Sequence, residues 1–121
     1  MEEPVVTTQQ STVEDWTSAL AESTGSPGGG AGTGVMLAVA ASLTSMVAGY
    51  SDGGEVEGIR SRAQDLRRSA LKLADEDATA SRAFGAAFRL EKGQERDEAI
   101  RSASVDAAKA SAVLGDRAIG A

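Results

Sequence analysis

Thr24-Gly25-Ser26-Pro27-Gly28-Gly29-Gly30-Ala31-Gly32 sets a proline in front of three consecutive glycines, with an apolar, alanine-rich run directly behind them. Proline fixes its own φ and biases Ser26 toward extended backbone, so no helix runs through this point. The glycines leave no side chain to hold a partner away. The spacing predicts a helix opening at about Gly32. The N–H groups of Gly28, Gly29 and Gly30 then sit just before its positive end, where an anion or a polar ligand atom is favoured. A flexible Gly/Ser linker is the competing reading. The stiff proline and the buried type of helix that follows argue against it. The stretch has neither Gly-x-Gly-x-x-Gly behind a strand nor a Gly-Lys-Ser/Thr ending, which disfavours a dinucleotide fold and a P-loop.

Outward from this loop, composition narrows the options. At 121 residues the chain suits one domain, and with two Phe, one Trp and one Tyr its core has to close on small side chains. A net charge of −6 disfavours nucleic acid and an anionic membrane as partners. With no cysteine and no histidine, disulfides, thiolate nucleophiles and the usual zinc ligands are absent, and no metal site is expected. Acid–base chemistry must then rest on carboxylates, lysine or hydroxyls. The acidic N-terminus lacks the apolar core of a signal peptide. The run from Val35 to Ala48 falls short of the ~20 apolar residues that span a bilayer. It reads as a buried core helix of a soluble, cytoplasmic protein.

Residues 1–10 read as a flexible leader and residues 11–121 as one helical domain. Ser11-x-x-Glu14 resembles a capping box, opening a first helix that carries Trp16, Ala19 and Leu20 on one face and ends near Ser23. Trp16 is a core anchor. The second helix is expected over 32–49, with Val35, Met36, Leu37, Val39, Leu43, Met46 and Val47 nearly encircling it. A helix apolar all round is buried on every side, which calls for a partner subunit or further sequence. The third helix is expected over 55–89, its seam formed by Ile59, Ala63, Leu66, Ala70, Leu73, Asp77, Ala80, Phe84 and Ala87. Gly93 turns the chain, and a fourth helix from Gln94 presents Ile100, Ala103, Ala107, Ala110 and Leu114. The fold class is all-α: an antiparallel helical bundle with a long helical hairpin and a buried, alanine-rich helix. Arg117 and Ile119 continue the helical register, as if the chain were cut there.

One seam position stands out chemically. Asp77 puts a carboxylate on an apolar line, where it must be hydrogen-bonded, paired or protonated. It is the candidate acid–base group; a structural polar residue or a register lock between helices is the alternative. Asp75 and Glu76 read as solvated neighbours. Lys92 at the hairpin turn is a surface lysine unless it faces an anionic ligand. Ser26 can donate a hydrogen bond from the loop, but no histidine is present to make it a nucleophile.

Several stretches together resemble the cyclodeaminase/cyclohydrolase family: Thr12-Val13-Glu14-Asp15-Trp16 with Ala19-Leu20, Ser26-Pro27-Gly28-Gly29-Gly30, and Met46-Val47-Ala48. Leu73-Ala74-Asp75-Glu76-Asp77-Ala78 resembles the family's helical aspartate step, and Phe88-Arg89-Leu90 through Lys92, with Glu95-Arg96 and Arg101, its hairpin turn and fourth helix. The likeness runs over roughly residues 12 to 114. Glu91 stands where the family favours a proline, a later Val-Pro step is missing near Val113-Leu114, and the family's C-terminal helices are expected to be absent. The resemblance implies an all-helical homodimer that binds a tetrahydrofolate derivative as substrate, with no bound cofactor. It implies Asp77 as the catalytic residue and Ser26, Pro27, Gly28, Gly29, Gly30 and Lys92 as substrate-binding. The implied reaction is cyclodeamination of 5-formimidoyltetrahydrofolate or hydrolysis of 5,10-methenyltetrahydrofolate. A non-catalytic helical dimerisation or folate-binding module is the alternative.

Overall fold

The computed structural model describes residues 6–22 and 25–120, and among them the regular elements are all helices: α1 (Val13–Ala21), α2 (Gly29–Gly49), α3 (Val56–Phe88) and α4 (Gln94–Ile119). The all-α class and the long α3–α4 hairpin are as the periodicity predicts. Ser23 and Thr24 lie outside the described residues, and so does the expected end of the first helix.

Two helix starts differ from expectation. Thr12, not Ser11, caps α1: its Oγ1 accepts the N–H of Asp15 at 3.0 Å. Ser11 is turned the other way, its Oγ accepting the N–H of Thr7 at 3.0 Å. The second helix begins at Gly29, three residues earlier than expected, with Gly28 extended at its N-cap and the Gly32 N–H closing onto the Gly28 carbonyl at 3.0 Å. Low helix propensity argues against glycines in a first turn, but tertiary contact outweighs it here. Ala31, which the early start brings into the helix, is buried, as is Gly34 one turn on.

That contact is a seam of small residues. Ala31, Gly34, Ala38, Ala41, Ser45 and Ala48 form the buried face of α2, and Ala63, Ala70, Ala74, Asp77 and Ala78 lie along the buried face of α3. The two helices run antiparallel. Gly30 meets Asp77, Gly34 meets Ala74 and Ala70, and Gly49 meets Arg60. At Gly34 the approach is so close that an added Cβ would stand 2.9 Å from the Ala74 Cβ and 3.2 Å from the Ala70 carbonyl oxygen. Farther along, the buried Ser45 hydroxyl accepts from Gln64 Nε2 at 3.2 Å, and Gln64 in turn receives Arg67 Nε at 2.8 Å. The polar break in the seam is thereby satisfied.

α4 returns along α3, with Arg117 Nε on Ser69 Oγ at 3.1 Å and Ser111 Oγ on Asp77 Oδ1 at 2.9 Å. Ala103 and Leu114 are its buried seam members. α1 is tied in through Trp16, which packs with Ala31 of α2 and with Ala74 and Ala78 of α3.

Only one face of α2 is covered. Met36, Val39, Leu43, Met46 and Val47, expected to be buried, are between 52% and 66% exposed. The reason is geometric: the small residues line up at helical spacing on the side that α3 occupies, leaving the large ones outward. The count from Val35 to Ala48 also undersized this helix. With its true start it has 21 residues, with a mean hydropathy of 1.6 over an 18-residue window, long and apolar enough by length and composition to cross a membrane.

Candidate functional site

The glycine turn and Asp77 meet at the N-terminal end of α2. Ser26 Oγ donates to the Ala78 carbonyl at 2.8 Å, which fastens the loop to α3 one residue beyond Asp77. Pro27 is buried, and Gly28 caps α2. Gly30 then lies directly against the Asp77 carboxyl group: a Cβ added there would stand 2.7 Å from Asp77 Cγ and 2.8 Å from Oδ1, and closer still to Oδ2. Glycine at this position is a requirement of space rather than of backbone angle.

Asp77 is 3% exposed, and it is the one charged side chain fully buried among the described residues. Two features accommodate it. Ser111 donates a hydroxyl hydrogen bond to Oδ1 from α4, and the carboxyl group rests on the first turn of α2, where the helix dipole is positive. A charged acceptor with a dedicated donor makes one of the stronger hydrogen bonds in a protein. Removal of the Ser111 hydroxyl leaves that oxygen buried and short of a partner. Ser111→Ala is therefore expected to lower stability by about 1.5–3 kcal/mol, read as a lower urea midpoint at unchanged m. A midpoint equal to that of the unaltered protein would show that the bond contributes nothing.

The sequence-derived residues do not all converge. Ser26, Pro27, Gly28, Gly29, Gly30 and Asp77 come together. Lys92 does not: it is exposed beyond the far end of α3, about three helical turns or roughly 16 Å of axial rise from Asp77. Ser111 was missed by sequence reasoning, because a lone serine in an alanine-rich helix carries no distinguishing signal. Its spacing from the Ala107 and Leu114 seam positions is the one hint available.

A sizeable cleft lies elsewhere. About 750 Å³ opens between α2, α3 and the end of α4, over an apolar floor that includes Leu37, Ile59 and Leu66. Arg62 and Arg117 share its lining with Asp65 and Asp116, so its charges balance. Neither Asp77 nor the glycine turn borders it. Its volume and apolar lining suit a ligand, whereas the buried carboxylate of Asp77 lies at the N-terminal end of α2. Among the described residues no group of carboxylates is arranged to hold a metal ion.

Residues 12–115 match the family described as formiminotransferase-cyclodeaminase. The chain belongs to this family. No curated protein and no solved structure matches it. The matched span contains the whole of the arrangement above, from the Thr12 cap to Ser111, so the cluster at Gly30 and Asp77 is part of a formiminotransferase-cyclodeaminase domain rather than an addition to one. Membership relates the chain to folate one-carbon metabolism.

Proposed function

We propose that the chain acts on a tetrahydrofolate bearing a one-carbon unit, with Asp77 as the acid–base group and the Gly28–Gly30 turn as the binding surface. The observation that carries this reading is the buried carboxyl group packed on the first turn of α2, held at one oxygen by Ser111 and turned toward Gly30 with the other. Backbone without a side chain covers that second edge, so a small shift of the first turn exposes it. In cyclodeamination, N10 of 5-formimidoyltetrahydrofolate, whose terminal nitrogen is protonated as an amidinium, attacks the formimidoyl carbon. The bond from that carbon to the terminal nitrogen breaks, and ammonia leaves. Asp77 takes the proton from N10 and delivers it to the departing nitrogen. The first-turn N–H groups of α2 offer donors for charge that develops during the transfer. In the hydrolytic alternative, the same carboxylate takes a proton from the water that attacks the methenyl carbon and passes it to N5 as the carbon–N5 bond breaks; the remaining hydroxyl proton is released and the formyl group stays on N10. Incubation with each folate separately, followed by methenyl absorbance, tests the reading: absorbance rises with the formimidoyl substrate or falls with the methenyl one. No change with either overturns it.

A second reading, a helical dimerisation module without turnover, is favoured by the outer face of α2. Met36, Val39, Leu43, Met46 and Val47 form an exposed apolar surface on a helix that carries no charge, and contiguous apolar surface of this kind marks interaction sites. A second copy covering this face makes the protein a dimer by light scattering, and Leu43→Glu, which sets a charge in the middle of it, yields monomers. A monodisperse unaltered monomer would exclude the dimer under both readings.

A further inference from the structure

Asp75 stands two residues before Asp77 and was expected to be a solvated charge. Instead it is half-buried, and its carboxylate receives two backbone N–H groups: Thr8 on Oδ1, and Gln9 on Oδ2 at 3.3 Å. The segment it holds is a turn closed by the Ser11 N–H on the Thr7 carbonyl at 3.1 Å. Residues 1–5 of the expected leader lie outside the described residues; from Val6 onward the chain is fastened to α3. Thr8 passes the constraint on, because its Oγ1 accepts from Trp16 Nε1 at 3.1 Å. Trp16 is buried with Ala31, Ala74 and Ala78, and Val6 packs against the same cluster. Ala31 follows Gly30, and the Ala78 carbonyl is the one that anchors Ser26. A continuous chain of contacts thus runs from Asp75 through Thr8 and Trp16 to the back of the glycine turn.

We infer that Asp75 is a positioning residue: it latches residues 7–11 onto α3 and, through Thr8 and Trp16, fixes the Gly28–Gly30 turn beside Asp77. Two N–H groups converging on one carboxylate suit an acid and not an amide, whose NH2 would oppose one of the donors. Asp77 keeps its own hydroxyl partner whether or not the latch holds, so loss of the latch alters the binding surface more than the acid–base step. The catalytic part of this inference rests on the function proposed above; the latch does not.

Trp16 is the one tryptophan in the chain, so its fluorescence reports the latch without any need for activity. Asp75→Asn is expected to shift the Trp16 emission to the red and make it more accessible to acrylamide. In the same variant KM for the folate rises by roughly five- to tenfold while kcat stays within about twofold. Asp75→Glu, which keeps both acceptor oxygens, restores most of both properties. Should Asp75→Asn fail to fold, Thr8→Val removes the acceptor for the indole N–H and is expected to give the same red shift. Unchanged emission in a folded Asp75→Asn or Thr8→Val protein overturns the latch. A red shift without a rise in KM, or with kcat falling in parallel, overturns the positioning role. Absence of folate turnover in the unaltered protein strikes the proposed function alone, and Trp16 emission still decides the latch.

Discussion

Gly30→Ala is expected to lower folate turnover by about two orders of magnitude and to destabilise the fold, although it replaces a poor helix former with a good one. Two effects compete. In a helix, alanine gains about 1 kcal/mol over glycine. Against this, the new methyl group would sit within 2.8 Å of three atoms of the Asp77 carboxyl group, a separation that real side chains essentially never show. The carboxyl group can yield only by leaving Ser111, with which it shares a 2.9 Å hydrogen bond, in a site that is 3% exposed. Overpacking of this kind costs typically 1–3 kcal/mol, so the clash outweighs the propensity. The catalytic loss follows from position, since a displacement near 1 Å from productive geometry can cost about a hundredfold. Gly29→Ala is the control. Nothing lies within 4 Å of a Cβ at that position, so the same propensity gain arrives without a clash, and stability should hold or rise. A Gly30→Ala protein as stable and active as Gly29→Ala would show that Asp77 is free to move, and would remove the geometric basis of the site.

This contrast between neighbouring glycines marks how far the sequence could be read. The Pro-Gly-Gly-Gly stretch announces a special turn, and the seam from Ile59 to Ala87 announces a long helix with one misplaced carboxylate. Both signals are local and periodic, so they survive without coordinates. That Gly30 faces Asp77 across forty-odd residues of chain is a matter of antiparallel register between α2 and α3, which no local pattern encodes. Asp75 shows the same limit from the other side. Its place off the seam says that it is away from α2, and says nothing of the leader turn that folds back onto it. The true start of α2, three residues before Gly32, is not legible either, because the burial of Ala31 that favours it is a tertiary effect. The outer face of α2 was read as buried because large apolar side chains dominate a hydropathy pattern, while the contact itself is made by alanine and glycine.

Asp77→Asn is expected to reduce kcat by roughly two to four orders of magnitude, the usual worth of a positioned acid–base group, and to leave the protein folded. The amide is close in shape to the acid. Its carbonyl oxygen can take the place of Oδ1 and accept from Ser111, so the hydrogen bond at 2.9 Å in the unaltered chain is retained. Its NH2 group falls on the Gly30 side, where a neutral donor replaces a charged acceptor. Loss of a favourable contact with the α2 dipole is worth about 0.3–1 kcal/mol, and relief from burying a charge opposes it. The two nearly offset, so the urea midpoint should move little. Glu76→Gln is the matched control, since Glu76 neighbours Asp77 in sequence but is exposed; exposed charges contribute little, and activity should stay within about twofold. A further comparison separates acid–base chemistry from architecture. Asp77→Ala removes both the proton carrier and the acceptor for Ser111, so it should match Asp77→Asn in kcat but fall below it in stability. If Asp77 served only to lock the register of α3 against α2 and α4, the order would invert in activity: the amide would preserve turnover along with the fold, and only alanine would lose both. Full activity in Asp77→Asn therefore rejects the catalytic assignment, whatever the stability measurements give.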